Sequence, residues 1–347
     1  MASETDPSAV EPDPSASATV APTGEPNNTT LIVRSGFGGV LMGLANLVPG
    51  ISGGTMLLVS GIYPRFVDAV AEVTKFRFRF RSLLVLGVVA FAAGLGILLL
   101  AGLLKDLVVD HRWIMYSLFI GLTLGGLPLV WRMAKPITPT VYLSAAIAFA
   151  MMVSLAVCQA MGVVGSGSSN FVTLLLAGLA GASAMILPGL SGGYILLLMG
   201  QYVPILDGIH EFKEALRGGD LSAAMGPALG VMLPVGVGVL AGVAVVSNLV
   251  KWLLQKYQKA TLGFLVGLLL GSVVGLWPFQ EGVEPTIGQT VIKGKLVTEE
   301  NFSDFDLEDW PTAFFSPSGG QVGGSIGLIL LGLAVTVGVS KIGGDEV

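Results

Sequence analysis

Apolar residues run along this chain in long blocks, without the alternation of a half-buried strand or the one-sided stripe of a soluble helix. Six blocks are about the length that crosses a bilayer as a helix, roughly 20 residues: 82–104, 113–131, 140–163, 228–250, 261–277 and 321–340. None contains Asp, Glu, Lys, Arg or His. Two further apolar stretches, 36–63 and 171–203, are too long for one helix and are broken in the middle by Pro and Gly. Two segments have no such pattern. Residues 1–30 are rich in Pro, Ser, Ala, Thr and acid, which predicts a disordered tail and no signal peptide. The stretch 281–320 carries eight acids and two lysines, which predicts an extramembrane loop.

The two broken stretches are copies of each other. PGISGGTMLLVSGIY (49–63) aligns without a gap with PGLSGGYILLLMGQY (188–202), identical at nine of 15 positions. A fainter echo relates GLTLGGLPLVW (121–131) to GLLLGSVVGLW (267–277). The offsets, 139 and 146 residues, make the chain a duplication: repeat 1 over 31–165 and repeat 2 over 166–340. Matching breaks in the two halves of a membrane protein point to a transporter's binding site.

Composition agrees with a lipid solvent. Charged residues are 12% of the chain, hydrophobic residues 53%, and the mean hydropathy is +0.80. A soluble domain carries about 25% charged residues. The net charge of −5 and the lack of a basic tract exclude nucleic acid as a partner, and one cysteine, Cys158, excludes a disulfide scaffold. There is no metal-ligand spacing, nucleophile–base pair or paired buried carboxylate. The expectation is therefore no enzyme and no cofactor.

The fold class that follows is an all-α integral membrane protein of two repeats, each a re-entrant helical hairpin (36–63, 171–203) plus three transmembrane helices. Three crossings per half invert the second repeat relative to the first. With both termini in the cytoplasm, twelve Lys and Arg fall inside and six outside; four crossings per half give eleven and seven. The hairpin arrangement suits the positive-inside rule better. The run Lys75–Arg81 (KFRFRFR) is then predicted on the inner surface, against anionic membrane lipid.

The chemistry sits in the PGxSGG tips. Proline lacks an N–H and ends a helix, glycine permits close approach, and serine caps or donates. A helix starting at the tip presents unbonded N–H groups and a partial positive charge, a setting for an anion. The candidate substrate-binding residues are Pro49, Gly50, Ser52, Gly53, Gly54 and Thr55 in the first tip. In the second they are Pro188, Gly189, Ser191, Gly192, Gly193 and Tyr194. The competing reading is that the motif only lets two helix pairs pack closely. Arg34, Arg65 and Arg112 are candidate phosphate partners, each with the alternative of snorkelling at a helix end. Tyr63 and Tyr202 read as interfacial anchors, His111 and His210 as loop residues. Asn46, Gln159, Gln201 and Asn248 read as interhelical hydrogen-bonding groups. Asn301-Phe302-Ser303 matches a glycosylation acceptor only by chance.

MGLANLVPGISGGTMLLVSGIY (42–63), SAMILPGLSGGYILLLMGQY (183–202) and GLLLGSVVGLWPFQ (267–280) resemble the PopT-type polyprenyl-phosphate (undecaprenyl-phosphate) transporter family across residues 34–340. That resemblance implies a multi-pass protein of the cytoplasmic membrane that flips the polyprenyl monophosphate carrier lipid for recycling in cell-envelope glycan synthesis. Only Pro49–Gly54 and Pro188–Gly193 carry over as motif residues. The alternative is a transporter or channel for a small soluble anion. No membrane-embedded carboxylate is visible to carry a proton, so a coupling ion, proton or sodium, stays unassigned.

Overall fold

The structure, a computed structural model, describes residues 28–46, 52–161, 168–292, 295–305 and 310–341. Its first half runs α1 (Asn28–Ala45), α2 (Gly53–Val59), α3 (Tyr63–Val73), α4 (Phe80–Asp110), α5 (Arg112–Gly125), α6 (Leu127–Met133) and α7 (Pro139–Ala160). The second half runs α8 (Phe171–Ile186), α9 (Gly192–Leu198), α10 (Tyr202–Arg217) and α11 (Leu221–Pro227). A π-helical turn at Ala228–Met232 leads into α12 (Leu233–Lys256), followed by α13 (Gln258–Gly275) and α14 (Gly319–Lys341). Six segments are long and apolar enough to cross a membrane: Phe80–Leu100, Arg112–Met133, Pro139–Gln159, Leu221–Lys256, Gln258–Gly275 and Gly319–Gly338. This is a multi-pass, mostly helical membrane protein.

The halves match in local geometry as well as in sequence. α2 and α9 are both seven residues long and both start after a serine in extended conformation, Ser52 and Ser191. Both end on a glycine in the left-handed region, Gly61 at φ +70° and Gly200 at φ +67°. After each glycine the next amide reaches back five residues, Ile62 N–H to Leu57 O and Gln201 N–H to Leu196 O. This closes the helix with a Schellman cap, where a side chain at the glycine would be strained. The α4–α5 and α12–α13 junctions also agree: His111 has φ −128°, ψ 43°, and Tyr257 has φ −130°, ψ 47°.

Packing repeats in the same way. α1 lies along α4 as α8 lies along α12. The C-terminal spans exchange partners between halves: α5 packs on α14, and α13 packs on α7. Gly121 in α5 abuts the Ile329 backbone of α14, and its counterpart Gly267 in α13 abuts the Ala145 backbone of α7. Neither crossing leaves room for a side chain, so the echo at 121–131 and 267–277 marks two equivalent interfaces.

Several positions differ from the sequence reading. α1 begins at Asn28, inside the stretch assigned to the tail, so Arg34 lies within a helix and is buried. His210 lies in α10 and not in a loop. Tyr63 is 3% exposed with its hydroxyl unpartnered, so it packs in the interior instead of anchoring at an interface. The region after α13 is not merely loop. β1 (Gln280–Gly282) pairs antiparallel with β4 (Thr312–Phe314), and β2 (Val291–Ile292) with β3 (Lys295–Leu296). Phe279 and Phe315 stack edge-on at 6.0 Å, and Lys295 bridges to Asp207 of α10 at 2.8 Å. Asn301 accepts from the Thr298 amide and donates to the Leu296 carbonyl, so its side chain shapes the turn.

Candidate functional site

Pro188 ends α8 because it has no N–H to continue the ladder, and the carbonyls behind it need donors from elsewhere. The Leu187 carbonyl accepts from the Leu190 amide at 3.4 Å and, more closely, from the other half: Ser52 Oγ donates to it at 3.0 Å. The Gly189 amide, just past the proline, donates to Thr55 Oγ1 at 2.8 Å. Ser52 thus holds the N-cap position of α2 by its backbone while its side chain reaches across to the second tip. The two motif copies are in contact and satisfy each other's polar groups. Ser52 and Thr55 are each 2% exposed.

Gly54 makes that contact possible, and Gly189 lets the second tip approach α13. A Cβ on Gly54 would stand 2.5 Å from the Ile186 carbonyl oxygen. Gly189 has φ +91°, and a Cβ there would stand 2.7 Å from the Leu268 carbonyl of α13. Gly53 and Gly192 do something else. Gly53 packs on Met42 and Asn46 at the end of α1, and Gly192 on Gly181 and Met185 of α8. For these two positions the close-packing reading of the motif applies. Pro49 and Gly50 lie outside the described residues.

The tips are not equally open. In the first, the described residues Ser52–Thr55 are all buried, while Ser191 and Gly193 of the second are half-buried. Beside the second tip is a crevice of about 30 Å³, lined by Gly189, Ser191 and Tyr194 with Gln159 of α7 and Ser272 of α13. No lining residue is charged. The Tyr194 hydroxyl is buried there without a partner. Ser272 donates to its own helix at Leu269 O, 2.9 Å, leaving its lone pairs toward neighbours. A volume of this size holds a water and not a phosphate group.

The arginines are distributed elsewhere. Arg34 Nη1 lies 3.5 Å from where a Cβ on Gly61 would be, at the end of α2 opposite Ser52. The length of α2 puts that roughly 10 Å from the tip. Arg65 is half-buried in α3. Arg112, the first residue of α5, donates to the Tyr116 hydroxyl at 3.3 Å and lies 5.2 Å over its ring. Tyr202 is half-buried, its ring beside Gly193. Gln201, between α9 and α10, accepts at 2.9 Å from Ser169 in the segment before α8, so this link joins two connections and not two helices, whereas Asn248 of α12 donates at 2.9 Å to Thr74 at the end of α3. Sequence reasoning did not select Leu187 or Ser272, and it reads Gln159 as an interhelical hydrogen-bonding group where the structure has it lining the crevice. Ser272 had a signal: it replaces Gly126 as a polar residue within the 121–131/267–277 echo. Leu187 had none, because its backbone carbonyl is what matters.

Residues 42–292, which include both tips and five of the six candidate spans, match the family described as undecaprenyl phosphate translocase-like. The chain belongs to this family. It is a family of transporters and not of enzymes. A polyprenyl-phosphate transporter of Vibrio cholerae serotype O1 (strain ATCC 39315 / El Tor Inaba N16961) is 28% identical over 320 residues, covering 87% of this chain and 94% of that protein. A polyprenyl-phosphate transporter of Staphylococcus aureus (strain NCTC 8325 / PS 47) is 27% identical over 252 residues, covering 69% and 84%. No solved structure gives a significant match.

Proposed function

We propose that this protein carries a polyprenyl monophosphate across the cytoplasmic membrane, its phosphate passing between the two PGxSGG tips while the prenyl chain stays in lipid. The observation that carries this reading is the reciprocal hydrogen bonding of the tips, Ser52 to Leu187 and Gly189 to Thr55. The names of the two relatives point to the same substrate.

The physics suits the substrate. An unpaired charge in hydrocarbon is very costly, and irregular backbone at membrane depth persists only in protein or along a wet cavity. When the tips part, the Ser52 and Thr55 hydroxyls and the Gly189 amide lose their partners together. A phosphate entering the gap replaces them, accepting from the amide and from both hydroxyls. The first turns of α2 and α9, with Ser191 and Tyr194, add further donors. The cost of opening is offset when the phosphate occupies the gap, which couples opening to substrate.

In this reading the halves are inverted repeats, 31–165 and 166–340, whose broken stretches are re-entrant hairpins entering from opposite faces. On this reading the 109° bend between α9 and α10 is where the chain leaves the second broken stretch. Both termini are cytoplasmic, alternating access is a rocking of one half against the other, and the lipid returns for reuse in cell-envelope glycan synthesis. The test is flipping of labelled polyprenyl phosphate in proteoliposomes, comparing the native chain with Ser52→Ala/Ser191→Ala. Protein-dependent flipping that the double variant lacks is expected; no flipping by the native chain rejects the proposal. Uptake of inorganic phosphate undiminished by the lipid transfers the reading to a small soluble anion.

A further inference from the structure

α3 and α10 follow the matching helices α2 and α9 in the two halves, and both end in a Schellman cap. At the end of α10 the left-handed residue is Gly219, φ +73°, and the Asp220 amide reaches back to Ala215 O at 3.0 Å. At the end of α3 the left-handed residue is Phe76, φ 57°, and the Arg77 amide reaches back to Glu72 O at 2.9 Å. A bulky residue in that region is an outlier, held only where the surroundings fix it. The second half uses glycine for the same turn, so the phenylalanine is not needed to make it. Its ring is 84% exposed, followed by Phe78 at 60% and Phe80 at 72%, directly before the span that begins at Phe80.

Beside this turn, between α3 and the C-terminal part of α12, is a cleft of about 250 Å³ lined by Glu72, Lys75, Arg77, Asn248, Lys251 and Trp252, among others. Its one carboxylate is engaged at both oxygens, by Arg79 at 3.2 Å and Ser82 at 2.6 Å. Lys251 pairs with Asp68 at 2.7 Å. The Lys75 and Arg77 side chains have no hydrogen bond or ion pair among the described residues, and Asn248 Oδ1 is buried without a donor. Trp252, half exposed, stands at the rim with Lys256 5.4 Å over its ring. The cleft therefore has two unengaged cations, an acceptor for a hydroxyl, and aromatic rings at the start of one span and the end of another. Tryptophan at a span end marks the headgroup level.

We propose that this cleft is a binding site for the phosphate headgroup of an anionic membrane lipid, with Lys75 and Arg77 on the phosphate, Asn248 accepting from a headgroup hydroxyl, and Phe76 holding the acyl region at the rim. The site is separate from the tips and does not depend on the transport reading. It extends the expectation for the 75–81 run from general surface attraction to a formed pocket.

The test is native mass spectrometry of the full chain with phosphatidylglycerol, with phosphatidylcholine as the uncharged comparison and inorganic phosphate as competitor. Phosphatidylglycerol is expected to be retained over phosphatidylcholine. Lys75→Gln/Arg77→Gln is expected to weaken retention roughly 10- to 30-fold, from about one lipid-surface interaction per cation. Arg217→Gln, which removes an exposed cation on α10, is expected to leave it unchanged. Phe76→Gly relieves the backbone, so it keeps or raises thermal stability while lowering lipid retention; a purely structural Phe76 would give the first result without the second. Native retention by the double glutamine variant overturns the site, and displacement by inorganic phosphate at concentrations equal to the lipid overturns a lipid as its ligand.

Discussion

Ser52 Oγ donates to the carbonyl of Leu187, a residue 135 positions further along the chain, at 3.0 Å. The bond joins the two halves at the motif each carries, and it treats the motif serines unequally. Ser52 is buried and committed to the other tip, whereas Ser191 is half-buried beside the crevice with no side-chain hydrogen bond among the described residues. Ser52→Ala removes the shorter of the two donors to the half-buried Leu187 carbonyl, leaving it the Leu190 amide at 3.4 Å, at a cost of about 0.5–1.5 kcal/mol. Its thermal unfolding in detergent should shift clearly downward. Ser191→Ala should unfold close to the native chain and still lose flipping, because its hydroxyl is free to serve substrate. Equal destabilisation of the two variants would contradict this division.

Thr55 offers a finer test of the same junction. Its hydroxyl accepts from the buried Gly189 amide at 2.8 Å. Thr55→Val keeps the shape and removes the acceptor, again about 1–3 kcal/mol for an orphaned buried donor. Thr55→Ser keeps the hydroxyl and should recover most of the loss. Unfolding midpoints of the three proteins decide it, and a serine variant as unstable as the valine one would assign the effect to packing.

The spans and breaks were legible because they follow from rules local in sequence: apolar length, proline ending a helix, glycine allowing a turn. Of the candidate tip residues, Ser52, Gly54 and Thr55 do meet the chain at Ile186–Gly189, since the duplication marks the same place twice, while Ser191 and Tyr194 line the crevice beside Gly189. What was not legible depends on partners far along the chain. Nothing near Leu187 says that its carbonyl will face Ser52. Tyr63 looked like an anchor because tyrosine favours interfaces, yet its position after the Gly61 turn carries it inward among core residues. Arg34 looked like a flanking charge because Asn28–Thr30 are polar, but those residues form the first turn of α1 and bring Arg34 inside. The strands at 280–314 are two or three residues long, too short for any periodicity, and rest on Phe279–Phe315 stacking and the Lys295–Asp207 bridge.

The motif glycines should not respond alike to alanine. A Cβ on Gly54 would meet the Ile186 carbonyl oxygen at 2.5 Å, backbone that cannot yield without moving α8. Its repeat counterpart Gly193 has Tyr202 Cε2 as its nearest neighbour at 3.7 Å, an ordinary contact. Gly54→Ala should separate the tips and lower both stability and transport, an overpacking cost of about 1–3 kcal/mol. Gly193→Ala should fold with native stability. The comparison needs only thermal melts and flipping rates of two single variants, and a tolerated Gly54→Ala would mean that the tips are not held as closely as described.

Tyr194 separates stability from transport most cleanly. Its hydroxyl is buried beside the crevice and has no partner, an arrangement that costs folding free energy. Removing only that oxygen with Tyr194→Phe leaves the ring in place and lifts the penalty, so the variant should melt at or above the native temperature, by up to about 1–3 kcal/mol. A group kept for packing alone would show nothing more. If the hydroxyl donates to a phosphate once the tips part, the same variant should flip polyprenyl phosphate more slowly, by about tenfold for one lost hydrogen bond to a charged group. Slower flipping in a more stable protein is the expected pair of results in proteoliposomes; unchanged flipping would remove Tyr194 from the substrate path and leave Ser191 as the side-chain donor on that side of the crevice.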